Sequence, residues 1–475
     1  MRDLCSAALG AAVAAGADYA DVRGVATRTQ IVKTHNSAPV EISDKESEGI
    51  GVRVLVDGAW GFSSCRATGE AAAQAAALGA VAAARASAGA IRAPASLLER
   101  APQIGSYSTP IELDPLEVSL GTKVELCLET EAAMRTSDVS TSIAGVWGQR
   151  ERHLLLSSEG ANLDQTVVKC GSDMIAVATR DGIAQKRSNT ADHTQGGWEQ
   201  VVAVDMPREG ARLGEEAAAL VRARPCPAGT TTVVLDHEAL AVQLHESIGH
   251  PIELDRVFGM EAGYAGTSFL STSDLHRRRV GSPRMNVTAD TTTPGGLATI
   301  GYDDEGVPAE RRPIIRDGVL RGFLDSRETA ARLGEGAGGY MRAGSWNRVP
   351  LIRMANLHLD PGEGSLDELL ADVDDGLYLV TNKSWSIDEK RLNFQFGVEV
   401  AWEVKRGKRT RMFRDAVYGG STPTFWAGLD AVAGPEEWRL HGVLFCGKGQ
   451  PGQHVHVSHG SPPARFKDVQ VGFST

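Results

Sequence analysis

The chain has 475 residues, with 49 lysines and arginines against 60 aspartates and glutamates, and its formal net charge is −11. At roughly 150 residues per domain, this length allows two or three domains, each with a buried core. The acidic balance argues against a protein that binds nucleic acid or a membrane surface, because both require a positively charged face. No stretch is apolar enough to predict a transmembrane helix.

The N-terminal segment is alanine-rich, but Arg2 is followed at once by Asp3 and the run has no leucine-rich centre. This pattern favours a helix over a signal peptide, with Asp3 as its cap and an end near Gly16. The six cysteines have no paired spacing, which predicts reduced thiols and a cytoplasmic location.

The first half of the chain alternates between helical and strand patterns. Alternating valines at 52–56, followed by Asp57-Gly58, predict a hairpin with 59–63. Apolar periodicity predicts helices over 68–84, 116–134 and 209–222, and strands over 154–157 and 174–178. We therefore expect an α/β region with an antiparallel sheet.

The second half begins after a segment with Pro225, Pro227 and Gly229. A strand over 231–235 and a helix over 236–249 follow, and from 286 onward the pattern is strand punctuated by turns, including 392–404. These features predict an α+β fold with two domains. The first is an N-terminal α/β domain over 1–225, and the second is a mainly β C-terminal domain over 230–475 that includes helix 236–249.

Three short motifs lack the neighbouring residues that a binding site of their kind requires. Gly334, Gly336 and Gly339 fit a dinucleotide-binding pattern but follow a helical segment rather than a strand. The P-loop pattern at 442–448 ends in Gly449, where a magnesium-binding hydroxyl is required. The acidic run at 303–305 has no EF-hand continuation, so it is best interpreted as a turn.

The helix over 236–249 contains the pattern H-E-x-x-x-H, formed by His245, Glu246 and His250. Histidines five residues apart lie ~140° apart around a regular helix, so they could not bind one ion. Gly249 allows a π-bulge or an early helix end, which would turn His250 back toward His245. Glu246 would then take a proton from water bound to zinc. The alternative is a helix end with two unrelated histidines.

The downstream sequence decides between these interpretations. The segments 250–255, 258–268 and 445–453 together resemble the TldD/PmbA family of metallopeptidases, specifically its zinc-bearing TldD-type subunit. The resemblance covers nearly the whole chain, because segments 17–23, 49–54, 60–62, 303–308 and 352–356 also look like family signatures. The helix motif and the loop around Cys446 are its most specific parts.

The resemblance implies a Zn²⁺ ion bound by His245, His250 and Cys446, with Glu246 as the general base. It also implies an extended peptide substrate, drawn from short or unfolded peptides, and a dimer. The dimer partner would be a homologous subunit lacking zinc or a second copy, and the N-terminal domain would supply substrate and dimer contacts. Two histidines and a thiolate leave a fourth position for water, as a catalytic zinc site requires.

Two other functions stay open at this point. A deformylase-like amidase could use the same ligands, and substrate length would separate it from a peptidase. A non-catalytic peptide-binding or regulatory subunit, including a modulator of a DNA-handling enzyme, has no need of Glu246. His454, His456 and His459 compete with Cys446 as ligands, but three more imidazoles would fill the position that water needs. Their roles are left open.

Overall fold

A computed structural model describes residues 1–336 and 338–472. The helices of the described chain are α1 Arg2–Ala14, α2 Glu70–Ala88, α3 Leu120–Ala133, α4 Trp198–Ala203, α5 Met206–Leu220, α6 His237–Leu244, α7 Leu254–Val257, α8 Arg327–Leu333, α9 Leu366–Ala371 and α10 Thr422–Ala427. Among the described residues, no helix combines the length and the hydropathy that crossing a bilayer requires.

The strands before residue 200 are β1 Tyr19–His35, β2 Ala38–Val56, β3 Ala59–Arg66, β4 Ile104–Ser108, β5 Val139–Ser157, β6 Asn162–Arg180, β7 Ile183–Asn189 and β8 His193–Gln195. They form one sheet in the order β3-β2-β1-β5-β6-β4, with β7 and β8 also paired to β6. All of these pairings are antiparallel except β4 with β6. Helices α1 and α2 pack an alanine-rich core against this sheet.

The later strands are β9 Arg224–Pro225, β10 Gly229–Leu235, β11 Val287–Asp290, β12 Arg311–Arg316, β13 Val319–Leu320, β14 Met341–Arg342, β15 Leu351–Ile352, β16 Asn356–Leu359, β17 Asp375–Ile387, β18 Asn393–Lys405, β19 Lys408–Arg414, β20 Val417–Ser421, β21 Leu429–Val432, β22 Arg439–Lys448, β23 Gln453–Ser461 and β24 Ala464–Val471. One sheet follows the order β17-β10-β24-β20-β18-β19-β9, and another the order β13-β12-β11-β16-β23-β22. The α+β prediction is confirmed. The division at 225 and 230 stays a prediction; the short strand β9, which lies just before it, pairs with β19 in a C-terminal sheet.

Helix α6 is central to the C-terminal region. Leu240 and Leu244 of this helix, together with Ile248 in the turn that follows it, form an apolar stripe that is buried in one core with residues from both C-terminal sheets, as the four-residue spacing predicts. Asp236 caps the helix by accepting a hydrogen bond from the Ala239 amide at 2.7 Å. This packing fixes the helix that bears the two histidines.

Several predicted boundaries are wrong by a few residues. Helix α1 begins at Arg2 with Met1 at its N-cap, so Asp3 lies in the first turn. Helix α3 begins at Leu120 and not at 116, because the Ser119 side chain accepts the Thr122 amide and caps it there. Strands β5 and β6 are longer than predicted, since extensive antiparallel pairing holds polar as well as apolar residues in the sheet.

The weak motifs also have plain structural explanations. The 442–448 segment lies in β22, with no helix after it to receive a phosphate. Gly334, with φ of 76°, ends helix α8 in a left-handed conformation. The glycine motif around it spans residue 337, which lies outside the described residues.

Candidate metal centre

The backbone of the helix that bears the two histidines changes its hydrogen bonding at His245. Residues His245–Gly249 form a π-helical turn, in which the His250 amide donates to the His245 carbonyl at 3.2 Å. The wider turn brings the two imidazole rings to 4.8 Å between centroids. The predicted distortion is therefore confirmed. Gly249 also suits close packing, since a Cβ there would overlap the buried Met354 side chain.

A third potential ligand comes from a distant strand. Cys446 lies on β22 beside the two histidines, and the candidate ligand atoms of His245, His250 and Cys446 all lie within 4.8 Å of one another. All three side chains are buried. Two imidazole nitrogens and one sulfur form a donor set that suits zinc and leaves a fourth position open. The residues present therefore fit the metal that the sequence predicts.

Hydrogen bonds at Nδ1 orient both imidazoles. His250 Nδ1 donates to Glu253 Oε2 at 2.9 Å. His245 Nδ1 lies 2.6 Å from His459 Nε2, and His459 Nδ1 lies 3.2 Å from the Leu357 carbonyl oxygen. Because a carbonyl can only accept, His459 donates through Nδ1 and accepts from His245 through Nε2. Both candidate ligands are thereby left with a free Nε2 lone pair, as outer hydrogen bonds do in metal sites.

The surrounding charges favour the ligating form of each side chain. Burial lowers the pKa of His245, which keeps the ring neutral. Burial opposes ionisation of Cys446, but Arg353 and His250 outweigh it and hold the pKa of the thiol below its ordinary value. Arg353 also donates a hydrogen bond to the Cys446 carbonyl oxygen. It therefore positions the backbone of β22 and stabilises the negative charge of the thiolate. A thiolate is the form that binds metal.

Glu246 is buried beside this cluster and forms an ion pair with Arg391. Burial opposes its ionisation, but His250, His245 and Arg391 together hold the pKa of the carboxyl below its ordinary value. Glu246 is therefore a carboxylate and can accept a proton. Arg391 has a left-handed backbone conformation with φ of 61°, an arrangement that costs energy outside glycine and is frequent at functional sites.

A buried lysine connects the cysteine strand to the histidine segment. Lys448 Nζ lies 2.7 Å from Asp255 Oδ1 and 3.4 Å from Glu253 Oε2. Lys448 is fully buried, and it helps to hold the pKa of Glu253 well below its ordinary value despite burial. Since Glu253 orients His250, this ion pair stabilises the position of one candidate ligand relative to the strand of another.

The three histidines after Cys446 divide between the two faces of β23. His459 is fully buried and contacts His245, whereas His454 and His456 lie on the opposite face of the strand, where the His456 ring lies 5.5 Å from the Trp147 ring. His454 is exposed, with its ring 6.3 Å from the Phe445 ring. Among the described residues, the group that could hold a metal comprises His245, His250 and Cys446 and none of these three.

Sequence reasoning missed three residues that support this cluster, and it left open the role of a fourth, His459. Glu253 follows His250 by three residues, a spacing at which side chains meet on a helical turn, so it could have been found. Arg353 and Arg391 are distant in sequence, and no local pattern indicates them. They lie in loops, whereas His459 lies on β23, and the packing of these segments brings them to the cluster.

A cavity of about 690 Å³ opens onto the cluster. Its lining includes His245 and Glu246, together with residues of the N-terminal sheet such as Trp147. Two largely exposed aromatic residues, Trp385 and Phe445, also line it. The cavity has the size of a small-molecule or peptide-fragment site.

Together, the fold and the cluster describe an α+β protein whose candidate metal centre lies between β22 and a helix that ends in a π turn. Three family models match the chain. They are PmbA/TldA metallopeptidase domain 1 over residues 20–88, the central domain over 113–224 and the C-terminal domain over 228–473. The chain belongs to the PmbA/TldD metallopeptidase family.

Known proteins resemble the chain over half of its length or more. A metalloprotease of Archaeoglobus fulgidus is 30% identical over 445 residues, covering 93% of this chain and 97% of its own. A zinc metalloprotease TldD homolog of Saccharolobus solfataricus is 30% identical over 250 residues, covering 52% of each chain. The crystal structure of TldE from Thermococcus kodakarensis has the same fold, with a TM-score of 0.77, 15% identity and full coverage of both chains.

Proposed function

We propose that the protein is a zinc metallopeptidase that hydrolyses peptide bonds in short or unfolded peptides. The observation that supports this most directly is the clustering of two imidazole nitrogens and a sulfur beside a carboxylate at the end of a cavity. The relatives named metalloproteases, one of them a zinc metalloprotease, agree with it. A purely structural zinc would need neither the adjacent carboxylate nor an open position.

His245, His250 and Cys446 would hold the zinc, which supplies a Lewis acid that polarises the scissile carbonyl. Glu246 accepts a proton from the attacking water molecule as the new C–O bond forms. It then donates that proton to the amine nitrogen as the C–N bond breaks, which yields a carboxylate and an amine. Arg391 holds the Glu246 carboxylate in position, and Glu253 and His459 hold the imidazoles.

The assembly is part of the proposal. We expect a homologous zinc-lacking subunit, or a second copy of this chain, to complete the site in the cytoplasm. The TldE fold neighbour is compatible with a paired subunit. The purified chain alone should then be weakly active, and adding a homologous partner should restore hydrolysis. Full activity in a monomer verified by sedimentation would contradict this expectation.

Metal removal and a substrate-length series test the activity. The protein purified from its native host, with any copurifying partner, is treated with a chelator and then reloaded with zinc. Hydrolysis of a labelled unfolded peptide should disappear and return. Cleavage confined to formylated single amino acids would favour the deformylase-like amidase, and undiminished hydrolysis by metal-free protein would rule out the proposed mechanism.

A further inference from the structure

A second, smaller cavity of about 250 Å³ lies next to the cavity that opens onto the metal centre. Both cavities are lined by Gln149 and His456, so a chain bound in the larger one can reach the smaller one. The volume is below the ~300 Å³ at which ordinary small-molecule pockets begin. A cavity of this volume suits one side chain or one peptide terminus rather than a complete small molecule.

The smaller cavity has two cationic side chains that lack a counter-ion. Within the described residues, the Lys169 ammonium has no hydrogen-bond or ion-pair partner, although it lines the cavity. Arg342 also lines it and donates only to the carbonyl oxygens of His456 and Met354, at 3.1 Å and 2.6 Å. Both cations are partly buried, where an unpaired charge is costly.

The carboxylates in the lining do not neutralise these cations. Asp304 is already paired with Arg23 at 3.1 Å and accepts the Ala343 amide at 2.8 Å. Within the described part of the chain, Glu151 forms no ion pair, and its side chain accepts a hydrogen bond from the Thr27 hydroxyl at 3.4 Å. Two positive charges therefore face one negative charge, and an anion entering the cavity would be stabilised.

The pKa values of the two cations are consistent with this imbalance. Burial, with a contribution from Arg342, lowers the pKa of Lys169 even though Glu151 opposes the shift. Burial, with a contribution from Arg353, lowers the pKa of Arg342 to about 10, even though Cys446, Asp304 and Glu151 oppose the shift. A bound anion would offset both effects.

The geometry points to a carboxylate-binding subsite at Lys169 and Arg342, which holds a carboxylate of the peptide substrate one cavity away from the metal centre. This inference rests on the proposed function for its ligand, since a peptide supplies either a terminal α-carboxylate or an Asp or Glu side chain. Lysine and arginine both form charge-assisted hydrogen bonds with carboxylates. The subsite would select peptides that place such a group a short distance from the scissile bond.

Equilibrium binding to the full-length Glu246→Gln protein tests this without requiring turnover. The probes are N-acetylated, labelled peptides of one sequence that end in a carboxylate or in an amide, and a second pair with Asp or Asn inside the sequence. We expect one carboxylate form to bind about tenfold tighter than its neutral counterpart. The pair that shows the difference identifies the source of the carboxylate.

Lys169→Met in the same background should abolish this preference, so that the charged and neutral peptides of each pair bind with equal affinity. Lys169→Gln provides a polar alternative if the methionine variant unfolds, and Lys408→Met controls for loss of an exposed lysine elsewhere. Equal affinity for every charged and neutral pair, or a preference that survives Lys169→Met, would overturn the subsite. Because binding is measured, such a result would be distinct from a failure of peptide hydrolysis in the wild-type protein.

Discussion

Two clusters of buried acidic and basic side chains lie in the C-terminal region, and they differ in how their polar atoms are used. One is the candidate metal centre around His245, His250 and Cys446. The other is the acidic turn, defined as Asp303, Asp304 and Glu305. Both clusters are buried, and both consist of residue types that could bind a metal ion.

In the acidic turn, each carboxylate has partners within the protein. Asp303 accepts the amides of Glu305, Val307 and Met341 at 2.9 to 3.0 Å. Asp304 pairs with Arg23 at 3.1 Å, and Glu305 pairs with Arg53 at 3.2 Å. Since both arginines lie in the N-terminal sheet, the acidic turn joins the two halves of the chain.

In the candidate metal centre, by contrast, donor atoms of three side chains converge. Both imidazoles use Nδ1 internally and direct Nε2 toward the cluster, while Cys446 contributes its sulfur. Two imidazole nitrogens and a sulfur that lie within 4.8 Å of one another form a donor set that suits a metal ion. The comparison separates a cluster whose carboxylates pair with amides and arginines of the protein from a cluster whose donor atoms converge on one point.

The largest expected effect is loss of the metal. Cys446→Ala removes the thiolate and its negative charge, so elemental analysis should find most of the zinc gone and peptide hydrolysis should fall to background. His454→Ala and His456→Ala serve as matched controls and should keep the zinc. The reverse pattern would show that the third ligand has been assigned wrongly.

Glu246→Gln should keep stoichiometric zinc while the rate of peptide hydrolysis falls by roughly two to four orders of magnitude. The amide retains the shape of the side chain but cannot accept the proton from water. Zinc content and kcat are measured on the same preparation. Near-normal turnover would exclude Glu246 as the base.

Asp304→Asn should lower the free energy of unfolding by about 3–5 kcal/mol, because it leaves the buried Arg23 charge without its partner. Urea unfolding measures the change, and zinc content should be unaffected. Asp44→Asn is the control, since its ion pair with Arg28 is substantially exposed and should contribute only about 0–1 kcal/mol. Loss of zinc together with stability in Asp304→Asn would mean that the two clusters are not independent.

The smallest effect concerns the outer hydrogen bonds of the metal centre. His459→Ala removes the acceptor that orients His245, so zinc affinity should fall by about 10–100-fold. Competition with a chromogenic chelator measures it. His459→Gln offers an acceptor in its place and should recover part of the affinity. If His459→Ala left the affinity unchanged, the His245–His459 contact would have no role in positioning the ligand.

The sequence by itself determined the features that depend on neighbouring residues. The Asp57-Gly58 turn, the apolar stripe of α6 and the distortion at Gly249 follow from backbone preferences and from side-chain spacing along one element. Strand lengths and the starts of α1 and α3 were predicted less well. Pairing with distant strands extends β5 and β6, and one serine hydroxyl decides where α3 begins.

Only the tertiary structure decided which distant groups surround the helix that bears the two histidines. Arg353, Arg391 and His459 lie on separate strands or loops, and the smaller cavity with Lys169 forms between an N-terminal sheet and a C-terminal strand. Contacts across such sequence separations depend on how the sheets pack, and no local pattern encodes them. Burial then sets the charge balance, because an ionised side chain is stable there only beside a partner or a ligand.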